Sequence, residues 1–225
     1  MPTASDKPVR SGRPPRLSRA EIIAAAKRIV ERDGVEKLTM RLLAREVGSA
    51  PMALYHHVRD KRELLLALLD DLAERVPRPE LPDDPVERII AATVAIHDGL
   101  LEFPWMVRIL AEGDLLSPKA LWFPEAVIDA GIRAGLSEGE AVHAYRSVWY
   151  FTVGELIVRT AARERVGVPT YQAEVFQELD PRRTPRLAAI SDRWLSWQLA
   201  DTFRPGLRAI VDGLLRAVRG GGCSD

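Results

Sequence analysis

The chain has 225 residues and a mass of 25.1 kDa; 47% of it is hydrophobic, and 32 Lys plus Arg balance 32 Asp plus Glu. That apolar content excludes wholesale disorder, and the longest apolar run, Leu64 to Leu69, is far short of the ~20 residues that span a bilayer. One cysteine, Cys223, excludes an intramolecular disulfide and a cysteine-based zinc site, and the absence of an apolar leader near the N-terminus points to a cytoplasmic protein.

Residues 1–17, rich in Pro, Arg and Ser, read as a flexible basic arm. Ser18 and Glu21 then form a capping box, and Ile22, Ile23, Ala26, Ile29 and Val30 follow the helical period until Asp33-Gly34. Thr39 can cap a short second helix that ends at Val47-Gly48. A third helix is expected from about Ala50 to His57. Asp60 with Glu63 opens a fourth helix to about Val76, where Pro77 and Pro79 end it.

The stretch 77–85, PRPELPDDP, marks a boundary between a domain at 18–76 and one at 77–225. Asp84-Pro85 reads as N-cap and first residue of a long helix to about Glu102, broken by Phe103-Pro104. Ser117-Pro118 opens a helix to about Ala134, in which Pro124 can introduce a kink. Ser137 with Glu140 starts a long apolar helix to about Arg165. Residues 166–183 read as a loop with one short helix. Helical pattern returns at 185–200 and at 205–219, before a GGGCSD tail. No period-two run or hairpin dipeptide appears. The expected fold is all-α, with nine or ten helices in a small lobe and a larger, aromatic-rich one.

The balanced charge hides an asymmetry. Residues 1–62 hold 14 Lys/Arg and 7 Asp/Glu, and residues 63–225 hold 18 and 25, so the parts carry +7 and −7. A basic end of this kind suits a polyanion, and a mixed solvated surface with clustered charge would show the same division. Three short helices with a Gly-containing turn between the last two fit an ordinary three-helix corner and also the layout of a helix-turn-helix, whose second member enters the DNA major groove.

The segment LTMRLLAREVGSAPMALYHHVRDKRELLLALL, residues 38–69, resembles the DNA-binding part of tetracycline-repressor (TetR) family transcriptional regulators. The matching elements are Leu38-Thr39, Leu43-Ala44, Val47-Gly48, Leu54-Tyr55, His57-Val58 and Asp60-Lys61 followed by Glu63-Leu64-Leu65. The resemblance implies a DNA-binding repressor released by a small molecule. By the same match, Arg41 is at a base-reading position, and Thr39, Tyr55, His57 and Lys61 are at positions that hold the sugar-phosphate backbone. From its chemistry alone Arg41 could equally contact a phosphate. Ser49, Ala50, Pro51, Met52 and Ala53 begin the third helix; they can meet thymine methyls but offer few hydrogen bonds. His56 completes the candidate DNA surface. Adjacent on a helix, His56 and His57 point ~100° apart and make a poor chelate. Arg13 and Arg16 of the arm could lie in the minor groove.

In the large lobe, Phe151-Thr152-Val153-Gly154 and the pattern from Asp201 through Phe203, Gly206 and Leu207 to Leu214 resemble the regulatory domain of the same family. The resemblance implies a homodimer through helices at about 138–165 and 203–219 and an effector pocket. An apolar or aromatic effector could meet Trp105, Trp122, Phe123 and Trp149, with His97, Arg108, His143, Thr152 and Glu155 as polar groups. Arg108 stands where metal-bound tetracycline would call for a histidine, which argues against that ligand. No metal-ligand spacing, cofactor motif or nucleophile motif is present, so neither a metal nor a cofactor is expected and an enzyme is the least favoured class. A helical binding or scaffold protein without operator DNA is the other alternative.

Overall fold

The first helix starts as its cap dictates: the Ser18 hydroxyl accepts from the Glu21 amide at 3.2 Å, and the Glu21 carboxylate accepts from the Ser18 amide at 2.8 Å. In the computed structural model, which describes residues 17–111, 113–163, 170–198 and 200–220, this helix is α1 (Arg19–Asp33). Its Ile22, Ala26, Ile29 and Val30 are buried along one face. A 3-10 turn, Val35–Lys37, leads to α2 (Met40–Glu46), α3 (Pro51–Tyr55) and α4 (Lys61–Arg75). Leu38, Leu43, Leu54, Val58 and Leu64 close the core beneath α1.

Polar contacts lock this small core. The Asp60 carboxylate accepts from the Glu63 amide at 2.8 Å, but Glu63 returns to the Arg59 amide, one residue before the expected cap position, at 2.9 Å. Arg19 donates to the same Glu63 carboxylate at 2.9 Å. The Arg59 amide and then the Arg19 guanidinium hold the Glu63 carboxyl down at about 2. The chain divides into two compact units between Leu68 and Leu69, a point within α4.

The second unit continues with α5 (Pro85–Leu101), α6 (Pro104–Ala111), a 3-10 turn (Pro118–Ala120), α7 (Trp122–Arg133) and α8 (Glu138–Arg163). Then come α9 (Tyr171–Gln177), α10 (Pro185–Ala188), α11 (Ser191–Gln198) and α12 (Phe203–Gly220). Its core is built where α5 meets α7 and α12, and where α8 meets α6, α7 and α12. Ile89, Ala92 and Ile96 of α5 pack there with Phe123, Val127 and Ala130 of α7, Val148 and Leu156 of α8, and Phe203, Leu207 and Val211 of α12. Gly131 lets α7 approach α8 closely: a Cβ there would stand 3.3 Å from that of Ala141. Among the described residues there is no strand, and no single helix is long and apolar enough to cross a membrane.

Three further local readings differ from the structure, which has twelve α-helices among the described residues where nine or ten are expected. Pro104 ends α5 but also opens α6, because proline is tolerated at a first helical position, where its missing N–H is not needed. The bend between α5 and α6 is 116°. Pro124 lies in the first turn of α7 for the same reason, while Ser117 caps the separate 3-10 turn through the Lys119 amide at 3.1 Å. The helical pattern at 185–200 is two helices, α10 and α11. The arm before residue 17, the 164–169 stretch and the tail from 221 lie outside the described residues.

Candidate functional site

In the first unit the α2–α3 pair forms one exposed surface. Thr39 caps α2, its hydroxyl accepting from the Leu42 amide at 3.2 Å. The turn depends on Gly48 at φ 64, in the left-handed region, and the Ser49 amide closes it on the Ala44 carbonyl at 2.9 Å. Leu54 is fully buried and anchors α3, so the opposite face points outward. There Met52 is 70% and Tyr55 45% exposed, and Ala50, Pro51 and His56 are exposed beside them. Ser49 and Ala53 are half-buried, and the Ser49 hydroxyl donates to the Ala50 carbonyl at 3.4 Å.

Arg41 is exposed on α2 and has no hydrogen-bond or ion-pair partner among the described residues. Arg45, one turn further on, is exposed in the same way; its i,i+4 spacing from Arg41 is the signal that sequence reasoning passed over. Lys61 is half-buried and donates to the Val35 carbonyl at 3.1 Å, leaving part of its ammonium for another acceptor. His57 is half-buried, and its carbonyl accepts from Arg19 at 3.2 Å. Arg13 and Arg16 lie outside the described residues. The arrangement can present a greasy α3 face and two arginines to a groove and its phosphates. Nothing in it resembles a nucleophile with a base.

In the second unit a cavity of about 230 Å³ opens among α4, α5, α7 and α8. Leu69, Leu72 and Ala73 line it from α4, and Ile96 and Leu100 from α5. Phe123 and Pro124 come from α7, and Tyr145 and Trp149 from α8. The segment after α6 completes the wall with Leu115, Leu116, Ser117 and Ala120. This segment is bolted to α4: the Ser117 hydroxyl donates to Asp70 at 2.5 Å, and Lys119 pairs with Glu74. That pairing, through the hydrogen bond to Glu74, raises the Lys119 pKa.

Of the residues expected to touch a ligand, the structure brings Phe123 and Trp149 into this wall. Trp122 stands edge-on to Phe123 at 6.2 Å, and Trp105 is half-buried on α6. Arg108 and His143 are exposed, and Thr152 is fully buried with its hydroxyl on the Val148 carbonyl at 2.8 Å. His97 and Glu155 meet each other, and Glu155 also lines a second, open groove along α8. The His97 ring, 3% exposed, bonds Glu155 through Nε2 and Asp98 through Nδ1, both at 2.9 Å. It stacks on Phe203 at 3.6 Å, and Phe203 stacks on Phe151 at 5.6 Å. Arg159 pairs with Glu155 and reaches Asp201 at 3.0 Å; its hydrogen bond holds the Asp201 carboxyl below its usual range. Arg204 bonds Asp98 at 3.0 Å. This network ties α5, α8 and α12 together. Sequence reasoning missed Ser117, Tyr145 and the α4 leucines of the cavity, which read as plain core.

An open groove of about 530 Å³ runs along α8 past Tyr150, Gly154, Val158 and Arg159 to Ala200 and Thr202. Tyr150 is 58% and Val158 66% exposed there.

Comparison with known proteins covers both units. Residues 22–68 match the family model of bacterial regulatory proteins of the tetR family, and residues 78–218 match that of the tetracyclin repressor-like C-terminal domain. The class A tetracycline repressor protein of transposon 1721, from Escherichia coli, is 34% identical over 87% of this chain and 89% of its own length. The HTH-type transcriptional repressor DrrR1 of Streptomyces coeruleorubidus is 30% identical over 90% of this chain and 79% of its own. The crystal structure of BioQ with its natural double-stranded DNA operator superposes with a TM-score of 0.61 at 27% identity, covering 89% of this chain and 99% of that one.

Proposed function

The chain belongs to the tetracycline repressor family of bacterial transcriptional regulators, and on that premise we propose how its parts divide the work of a ligand-responsive, DNA-binding repressor. Residues 18–76 form the DNA-binding domain, with α4 as its link to a ligand-binding and dimerisation domain at 77–225. The arm at 1–17 carries Arg13 and Arg16 toward the minor groove. Two copies pair through α8 and α12, whose exposed Tyr150, Ile157 and Val158 on one helix and small Ala209 and Gly213 on the other suit a four-helix interface. The pair reads a palindromic operator with two copies of α3 about one DNA turn, ~34–36 Å, apart.

On the DNA, the apolar α3 face meets base edges, with Met52 against thymine methyls, while Arg41 reads a guanine. Tyr55, His57, Lys61, Thr39 and Arg45 hold phosphates and set register. The protein works in the cytoplasm, where its DNA is.

One observation carries the coupling between DNA and ligand. The start of α4 supplies Leu64 and Leu68 to buried positions of the first unit, and its continuation supplies Leu69, Leu72 and Ala73 to the cavity wall. A ligand that displaces this wall displaces the helix that carries the reading head. A coupling of ~1–3 kcal/mol suffices for a 5–150-fold change in operator affinity.

The test is binding to DNA upstream of the protein's own gene, followed by gel shift across single-base variants of the site. Arg41→Ala should cost about 1–3 kcal/mol and relax preference at one position per half-site. Equal weakening on every variant assigns Arg41 to a phosphate, and no shifted band at any salt concentration overturns the reading.

A further inference from the structure

The cavity between α4 and α8 has an unusual wall for a site that controls DNA binding. Among its described lining residues there is no Asp, Glu, Lys, Arg or His, and only Ser117, Tyr145 and Trp149 carry a polar side-chain atom. A charge buried against such a wall would lose its water without gaining a partner. A hard cation needs several oxygen ligands, carboxylates above all, and a softer one needs imidazole or thiolate; the described lining supplies no carboxylate, imidazole or thiolate and only the two hydroxyls of Ser117 and Tyr145. No group of three or more potential metal ligands exists elsewhere among the described residues.

Size and shape narrow the occupant further. An apolar cavity of ~150 Å³ takes one benzene ring. At about 230 Å³, this one has half as much room again. Phe123 stands 5.8 Å from Tyr145 and 6.1 Å from Trp149, with ring planes at 62° and 53°. Three rings so inclined offer both faces and edges to a flat guest. The Ser117 hydroxyl already donates to Asp70 and accepts from the Lys119 amide. The Tyr145 hydroxyl has no hydrogen-bond partner among the described residues, and burial raises its pKa, so it stays a neutral donor.

Building on the reading of this cavity as the regulatory site, we propose that its effector is an uncharged, metal-free aromatic molecule of about two fused rings, anchored through one hydrogen bond to Tyr145. The wall selects against carboxylates, ammonium groups and metal chelates, and it leaves room for a single polar substituent.

Titration calorimetry on the full-length protein tests this with four probes: 1-naphthol, 1-methylnaphthalene, 1-naphthoate, and tetracycline with magnesium. The expected order places 1-naphthol first, at least about tenfold tighter than 1-naphthoate, with no dependence on magnesium. Tyr145→Phe, checked for an unchanged melting curve, should weaken 1-naphthol by about threefold to tenfold and leave 1-methylnaphthalene unaffected. The proposal is overturned if 1-naphthoate or the magnesium chelate binds tighter, if Tyr145→Phe leaves 1-naphthol unchanged, or if no probe binds. Operator affinity measured in the same samples separates the two levels. Binding of 1-naphthol without any change on DNA upholds the ligand class and overturns the regulatory reading. Release of operator by the charged probe does the reverse.

Discussion

Replacing His97 by alanine should destabilise the second unit without touching the cavity wall. His97 is buried, bonds Glu155 and Asp98 at 2.9 Å and stacks on Phe203 at 3.6 Å. The two hydrogen bonds contribute about 1 kcal/mol each and the stacked ring ~0.5–1.5 kcal/mol. Arg159 stays on Glu155 and Arg204 on Asp98, so neither carboxylate is left bare. The larger penalty for orphaning a buried charge therefore does not apply in full. The loss comes to about 3 kcal/mol, or roughly 6–12 °C in melting temperature for a chain of this length. His97→Phe keeps the stack and the volume and should recover part of the loss. Thermal unfolding followed by circular dichroism, with operator and 1-naphthol binding on the same samples, reads the outcome. A His97→Ala protein that melts like the parent but no longer responds to ligand refutes the structural assignment and returns His97 to the effector site.

Two further changes probe the reading head. Gly48→Ala places a Cβ in open space but at φ 64, so only backbone strain acts, costing about 1–2 kcal/mol in the melting of the first unit; Gly48→Asn should cost less. Acid should also weaken this unit. Glu63 is held at about 2 by the Arg59 amide and Arg19, so its contribution is complete above about pH 4.5 and fades as pH falls through about 2. Glu63→Gln removes that acid step and lowers the melting temperature at pH 7, as a pH series of melts would record.

Much of the fold is legible in its helix starts. Ser18, Thr39, Asp84 and Ser137 each cap a helix through the bond their residue type favours. Prolines mislead where they can open a helix as well as end one, so α6 stays hidden behind Pro104. The exposed face of α3 is equally plain, because the Gly48 turn and the buried Leu54 fix which of its residues face outward. The cavity beside α4 is not. Leu69, Leu72 and Ala73 follow the same apolar period whether they fill a core or line a void, and only packing distinguishes the two. His97 and Glu155 are 58 residues apart, so nothing in either segment shows that they meet.

Coupling between the cavity and the operator can be tested without knowing the effector. Ala120 lines the cavity, and Ala120→Trp fills from within the space a ligand would occupy. The measurement is the operator dissociation constant of this variant against the parent, both as folded dimers. A 5–150-fold weakening is expected, with the three-helix reading head unaltered in sequence. A filled cavity with operator affinity equal to the parent's would contradict ligand release through α4.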